Sequence, residues 1–264
     1  MKLEGKVAIV TGGGQGIGRG IVQCLAEEGA DVAIITRHAE SASKAVEEIR
    51  ALGRKALGMA ADVTKSEDVT RAVKATIDYF GKVDILVNNV GGGSVPIAMF
   101  MDLKGPEWDQ TFELNLKSQV MMCRAVVPYF IKQKNGKIVN ISSVGGKRPM
   151  PRNAPYGSTK AGVIYFSRAL AVELAEHNIN VNCVCPGGIF TPTYAKLIEE
   201  SIIPNVGTEG MTARDFFARG VSRMPLRREL TPEDVGHAVV FLVSEDARNI
   251  TGVSLDVDGG SAMA

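Results

Sequence analysis

Val7-Ala8-Ile9-Val10-Thr11 runs without a break into Gly12-Gly13-Gly14-Gln15-Gly16-Ile17-Gly18, and these residues decide how the whole chain is read. The first five are apolar or β-branched, as a strand covered on both faces requires. From Ile17 onward apolar residues recur at spacings of three and four, the period of a helix. The glycines between bring bare backbone beside a helix N-terminus, with its unpaired N–H groups and positive dipole end. That is the setting in which a pyrophosphate is held. The spacing is G-x-x-x-G-x-G rather than G-x-G-x-x-G, and a glycine-rich turn alone is only a flexible link. Its position at the first strand-to-helix turn makes it a phosphate-binding candidate.

Outward from this turn the alternation repeats. Further strand-like runs lie at 31–36, 55–60, 84–88, 137–142, 179–185 and 253–257. Helical patterns lie at 17–28, 41–52, 66–80, 107–132, 156–176 and 232–243. The strand-like runs are nearly continuous apolar segments, which predicts cover on both faces. Gly29 and Gly53 stand as helix stops, and Thr231-Pro232-Glu233-Asp234 as a capped, acidic helix start. Such alternation predicts an α/β fold with a doubly wound, parallel, seven-stranded sheet and helices on both faces. With no biased linker, repeat or low-complexity tract, residues 1–264 read as one domain. Residues 186–230 break the regularity with Pro186, Pro192, Pro204 and Pro225, and so long a connection predicts a functional lid.

Composition sets the bounds. The 264 residues suffice for a core that needs no disulfide or metal staple. Hydrophobic residues make up 45% and charged residues 22%, which indicates neither disorder nor a membrane span. A net charge of +1 gives no reason to expect nucleic acid or an anionic membrane as partner, so a small molecule is the expectation. Cys24, Cys123, Cys183 and Cys185 form no C-x-x-C pair and the histidines stand apart, so no metal is expected. Cys183 and Cys185 would share one strand face as small core residues. Residues 1–6 carry no apolar h-region, which predicts a cytoplasmic protein with reduced thiols.

Other motifs join the glycine turn: Asn88-Asn89-Val90-Gly91, Ser143, Tyr156-Gly157-Ser158-Thr159-Lys160, Pro186-Gly187 and Asp258-Gly259-Gly260. In this order and spacing they resemble the short-chain dehydrogenase/reductase family over essentially the whole chain. Val90, where the family usually has alanine, is a departure at a packing position. The resemblance implies a single-domain Rossmann-type fold. It also implies an oxidoreductase that moves a hydride between a nicotinamide cofactor and the carbinol or carbonyl carbon of a small alcohol or ketone.

The end of the second strand bears on which cofactor. An acidic residue there would bond the adenosine ribose and repel a 2′-phosphate. Thr36 followed by Arg37 instead offers a hydroxyl and a guanidinium suited to a phosphate dianion, which predicts NADP(H) over NAD(H). Read alone, Arg37 also fits the start of a solvated loop, and Gln15 stands where many NADP-linked relatives carry a basic residue. The resemblance implies further contacts: Gly12, Gln15 and Ile17 at the glycine turn, and Asp62 and Val63 at the adenine. It places Asn89 and Gly91 by the adenosine ribose, Ile189 at the carboxamide and Thr191 at the carboxamide or pyrophosphate.

Tyr156 and Lys160, four apart, share a helix face. A phenol of pKa about 10 is too weakly acidic for a base at neutral pH, and a nearby ammonium predicts a lowered value. A bare Y-x-x-x-K is commonly a surface pair. Among the five tyrosines, however, only Tyr156 has lysine at that spacing, and it lies thirteen residues after Ser143. Ser143 would donate to the substrate oxygen, whereas Ser142 would point to the opposite side of the strand. Asn115, by itself a polar helix residue, matches the family asparagine that kinks a helix and holds a relay water. The implied catalytic set is Asn115, Ser143, Tyr156 and Lys160, with Tyr156 as the base or acid and Lys160 also on the cofactor ribose.

Other classes fit less well. No G-x-S-x-G marks a serine hydrolase, and no glycine–lysine pair is followed by Ser or Thr as a P-loop needs. A catalytically silent NADP-binding sensor has no need of an intact catalytic set. Tyr194, Leu197, Ile198, Ile202, Ile203, Met211, Phe216 and Phe217 in the lid, with Val95, Ile97, Met99, Phe100 and Met101 after the fourth strand, suggest an apolar pocket. Lys147, Arg148 and Arg152 fit either plain solvation or the greeting of a carboxylate or carrier phosphate, so a 3-oxoacyl thioester is the alternative substrate. The resemblance implies a homotetramer paired through the helices of Asn115 and Tyr156.

Overall fold

In the computed structural model, which describes residues 1–92, 97–206, 208 and 210–263, successive residues of the first strands enter different cores. Strands β1 (Val7–Thr11) and β2 (Asp31–Thr36) send Ala8, Val10, Val32 and Ile34 into one layer. Ile9, Ala33 and Ile35 go into the other. This is why the runs read as continuously apolar: both faces are buried. Each buried valine or isoleucine among them contributes roughly 2 kcal/mol.

The remaining strands are β3 (Ala56–Ala60), β4 (Ile85–Asn88), β5 (Gly136–Ile141), β6 (Ile179–Pro186) and β7 (Ser254–Val257). They form one sheet in the order β3-β2-β1-β4-β5-β6-β7, with every neighbouring pair parallel. The helices are α1 (Gly16–Glu27), α2 (Ala39–Ala51), α3 (Ser66–Phe80), α4 (Gly105–Phe112), α5 (Ser118–Gln133) and α6 (Ala154–Leu174). Shorter ones, α7 (Pro192–Leu197), α8 (Ile203–Val206) and α9 (Ala213–Val221), precede α10 (Pro232–Val243). Residues of α1, α2 and α10 fill one layer, and residues of α3, α5 and α6 the other. The strand order reverses between β1 and β4, and the crevice at their C-terminal ends is where a ligand belongs in such a sheet.

The doubly wound, seven-stranded sheet and the helices at 66–80 and 232–243 agree with the sequence reading. Gly29 and Gly53 end helices at φ +97° and +76°. The Thr231 hydroxyl accepts from Asp234 N–H at 3.3 Å while the Asp234 carboxylate accepts from Thr231 N–H at 2.8 Å, a reciprocal cap. Two expectations change. β3 and β7 are sheet edges with half-exposed or exposed positions, so two-sided cover holds only for the inner strands. The helix expected over 107–132 is interrupted by a π-turn at Glu113–Lys117.

Residues 186–230 leave the sheet after β6 and return through a parallel bridge between Ile189 and Leu230. Between these ends the segment has a core of its own, with Ile198, Ile203, Ala213, Phe217 and Val221 buried. Among the described residues no helix is long and apolar enough to cross a membrane.

Candidate active site

The glycine turn is tied to the reversal point of the sheet. Thr11 Oγ1 accepts from the N–H groups of Asn89 and Val90 at 3.0 and 3.1 Å. Asn89 Nδ2 donates to the carbonyls of Thr11 and Gly12 at 3.0 and 3.4 Å. Asn89 thus braces the turn with its side chain as well as lining it. Gly12 adopts φ +68°, and a Cβ on Gly18 would sit 2.1 Å from the Gly12 carbonyl oxygen. Only bare backbone fits there. Gln15, extended and exposed, precedes α1 without capping it, and Ile17 is half-buried in the first turn. The first N–H groups of α1 therefore have no side-chain cap, and the cradle fits a diphosphate. Thr191 closes over it, with its methyl 3.4 Å from where a Cβ on Gly16 would lie.

At the end of β2, Thr36 is buried and Arg37 exposed. Asp62 accepts from the N–H and hydroxyl of Thr64 at 3.0 and 2.7 Å. Burial works to raise this carboxyl, but Thr64 and the positive charge of Arg37 outweigh it and hold Asp62 below the ordinary range. Arg37 therefore stands on the Asp62 side of the crevice, and Val63 beside it is buried. The sequence reading missed Ser41. Its hydroxyl lies 3.5 Å from that of Thr36, donates to the His38 carbonyl at 2.8 Å and packs on Gly14. Two hydroxyls thus meet at this corner, with Arg37 next to Thr36 in the chain. The S-x-S run at the start of α2 was the only signal.

The chemical end is assembled from β5, the π-turn and α6. Tyr156 and Lys160 lie on the first turns of α6, and Lys160 is only 3% exposed. Lys160 Nζ donates to the Ile141 carbonyl at 3.0 Å and stands 5.8 Å from the Tyr156 ring centroid. Ser143 follows β5, where its hydroxyl acts to lower the pKa of the Tyr156 phenol, and it accepts from Gly145 N–H at 3.1 Å. Ser142 faces the other way, donating to the Lys160 carbonyl at 2.7 Å. Asn115, fully buried in the π-turn, accepts from Gly92 N–H at 2.8 Å. Its amide donates to the Gly92 carbonyl and to Thr159 Oγ1, both at 3.1 Å. A widened turn lets this side chain reach sideways instead of along the helix. Gly91 touches both groups, since a Cβ there would lie 2.9 Å from Asn115 Oδ1 and from Lys160 Nζ. Ile189 is buried beside the lid's base, and Thr191 caps α7 by accepting from Tyr194 N–H at 3.2 Å.

One electrostatic expectation is reversed. In the protein alone burial pushes the Tyr156 phenol up, the Ser143 hydroxyl pulls it down, and the charge of Tyr194 opposes that pull. The net direction is upward. Lys160 does not lower it because burial drives its own pKa down to about 8, with Cys183 and Cys185 drawing it back up. By the pH at which the buried phenol would ionise, Lys160 has already shed its proton and has no charge to lend. The two cysteines do share a face, with sulfurs 4.0 Å apart.

A cleft of about 560 Å³ opens between the lid and the C-terminal residues, walled by Tyr194, Phe216, Phe217, Met224 and Met263. Ile198 and Ile203 pack the lid instead. Of the second apolar loop, Val95 lies outside the described residues, and Met99, Phe100 and Met101 are exposed rather than lining this cleft. Lys147 is occupied by Asp256 at 2.6 Å and the Ser254 carbonyl at 2.7 Å. Arg152 is bound to the Asn205 carbonyl at 2.9 Å, whereas Arg148 lines the cleft.

The short chain dehydrogenase family matches residues 6–201. A 3-oxoacyl-(acyl-carrier-protein) reductase of Thermotoga maritima is 37% identical over 260 residues, covering 98% of this chain and 99% of the relative. An actinorhodin polyketide ketoreductase solved with NADPH is 32% identical, with TM-score 0.91 and 98% of each chain covered. An NAD+-bound xylitol dehydrogenase has the same TM-score, 0.91, at 30% identity, over 98% of this chain and 100% of its own.

Proposed function

The chain belongs to the short-chain dehydrogenase family, and from that premise we propose that it is an NADP(H)-dependent oxidoreductase acting on a largely apolar small alcohol or ketone. The observation that carries this reading is the convergence of Asn115, Ser143, Tyr156 and Lys160 beside the uncapped start of α1. The glycine cradle and Asn89 would hold the diphosphate, Asp62 and Val63 the adenine, and Lys160 with Tyr156 the nicotinamide ribose. Gly91, Ile189 and Thr191 would complete the walls. Thr36, Arg37 and Ser41 favour a 2′-phosphate over a bare ribose, although the solved relatives include both cofactor types.

The nicotinamide, when bound, supplies or accepts the hydride. Tyr156 Oη exchanges the proton with the substrate oxygen, and the Ser143 hydroxyl donates to that oxygen as charge develops. Lys160 holds the ribose hydroxyls and stands ready to pass a proton to Tyr156. Asn115 spends both amide N–H groups within the protein. The second lone pair of its Oδ1, or the main-chain carbonyl of the widened turn, is left to hold a relay water. Tyr165 and Val172 on α6 are 76% and 80% exposed, which supports pairing of this helix in a homotetramer. The four free, buried cysteines suit the cytoplasm.

A second reading, reduction of a 3-oxoacyl thioester, is favoured by the activity named for the Thermotoga maritima relative. The test of the main reading is titration with NADPH and NADH, repeated in Arg37→Ala, followed by turnover of apolar ketones. Tight NADPH binding that weakens selectively in the variant is expected. Preference for NADH, or indifference to the substitution, would sink the 2′-phosphate assignment, and absence of turnover on any ketone or thioester would favour a silent sensor.

A further inference from the structure

Charge in this chain is unevenly placed. The net charge is +1, yet residues 212–229 hold Arg214, Arg219, Arg223, Arg227 and Arg228 against Asp215 and Glu229. Arg214 is accounted for, paired with Glu229 at 2.5 Å and stacked 5.0 Å from the Phe190 ring. Arg223 and Arg148 are not. Both line the cleft between the lid and the C-terminal residues, and no acidic residue lines it with them. Among the described residues neither guanidinium has a carboxylate within ion-pair distance.

Arg148 is nevertheless held in place. Its Nη1 donates to the Ser261 carbonyl at 2.9 Å. That carbonyl is itself positioned, because the Asp258 carboxylate accepts from Gly260 N–H, Ser261 Oγ and Ala262 N–H at 2.8, 3.0 and 2.6 Å. Guanidinium carries five N–H donors, so one bond to a carbonyl leaves most of the fork free. The rest of the wall is aromatic or thioether, and Tyr194 joins it to the Tyr156 end of the site. An apolar cleft with two unmatched guanidinium groups at its rim complements a molecule that is apolar in its body and anionic at one end.

We propose that the substrate is an apolar carbonyl compound bearing an anionic oxygen group, carboxylate or phosphate, which Arg148 and Arg223 bind where they line the cleft. This rests on the ketone-reductase reading above. It adds the charge of the substrate and the residues that select it.

The experiment uses the full chain with NADPH and four substrates. Two are a ketone carboxylate and its methyl ester; two are a 3-oxoacyl-coenzyme A and the uncharged N-acetylcysteamine thioester of the same acid. The charged member of at least one pair should have a KM lower by about tenfold or more. Arg148→Ala and Arg223→Ala should each erode that advantage, leaving the uncharged member and NADPH affinity unchanged, and added salt should erode it too. Discrimination within the ketone pair alone assigns the anion to the substrate; discrimination within the thioester pair alone assigns it to the carrier. Equal KM values within both pairs, or variants that raise KM for charged and uncharged substrates alike, overturn the proposal. Should none of the four be reduced, the ketone-reductase reading falls. Calorimetric titration of the carboxylate and its ester into the NADPH-loaded protein then still decides the arginine site, and equal affinities would refute it.

Discussion

Replacing Lys160 by methionine should stabilise the cofactor-free protein at neutral pH while removing most of its activity. Lys160 is 3% exposed, and burial lowers its pKa from 10.5 to about 8. At 1.36 kcal/mol per pH unit that gap corresponds to about 3 kcal/mol. Below pH 8 both folded and unfolded chains carry the proton, and the folded chain bears the whole cost of a buried ammonium. From about 8 to 10.5 the folded chain sheds a proton that the unfolded chain keeps, so stability rises with pH. Above that window the cost is gone. Methionine fills the aliphatic stem without the charge and loses only the bond to the Ile141 carbonyl, which keeps a 3.4 Å bond from Gln119. That loss is about 1 kcal/mol. The variant should therefore be more stable by about 2 kcal/mol at pH 7, with the difference shrinking and changing sign towards the alkaline end. Urea unfolding of both proteins at one protomer concentration across this range measures it, since other titrating groups cancel in the difference. A difference that stays constant with pH would refute the picture of an ammonium forced into a dry site. Turnover should fall by about 10²–10⁴-fold in the same variant.

Gly18→Ala places a Cβ 2.1 Å from the Gly12 carbonyl oxygen. The displaced turn should weaken NADPH binding by about tenfold to a hundredfold, and an unchanged dissociation constant would show that the turn can yield. Ser143→Ala removes the hydroxyl that pulls the Tyr156 phenol down, so the pH midpoint of alcohol oxidation should move up as kcat falls about a hundredfold. An unmoved midpoint in the pH profile would count against Tyr156 as the base. Thr36→Asp should invert cofactor preference towards NADH in paired titrations, because a carboxylate there repels the 2′-phosphate and accepts from a ribose hydroxyl. Undiminished preference for NADPH would move the discriminating site elsewhere.

Local periodicity was enough to read the sheet and the glycine turn, because these depend on residues a few positions apart, whereas the catalytic set over 115–160 was proposed from the family resemblance. The run 7–11 is a strand because every position is apolar or β-branched, and Tyr156 and Lys160 share a face because helices turn every 3.6 residues. What lay beyond the sequence involves distant partners or summed burial. The apolar pattern of 107–132 is continuous, so nothing local reveals that Asn115 must widen the helix to reach Gly92. Lys147 reads as a free cation until β7 brings Asp256 against it, and Arg148 reads the same way until Asp258 aligns the Ser261 carbonyl. Ser41 matters only because the fold lays α2 on Gly14. The direction of the Tyr156 shift was misread, and the Lys160 shift left unread, for the same cause. A charge–charge argument sees two neighbours, whereas desolvation is the work of every group that excludes water from them, and only the folded chain says which groups those are.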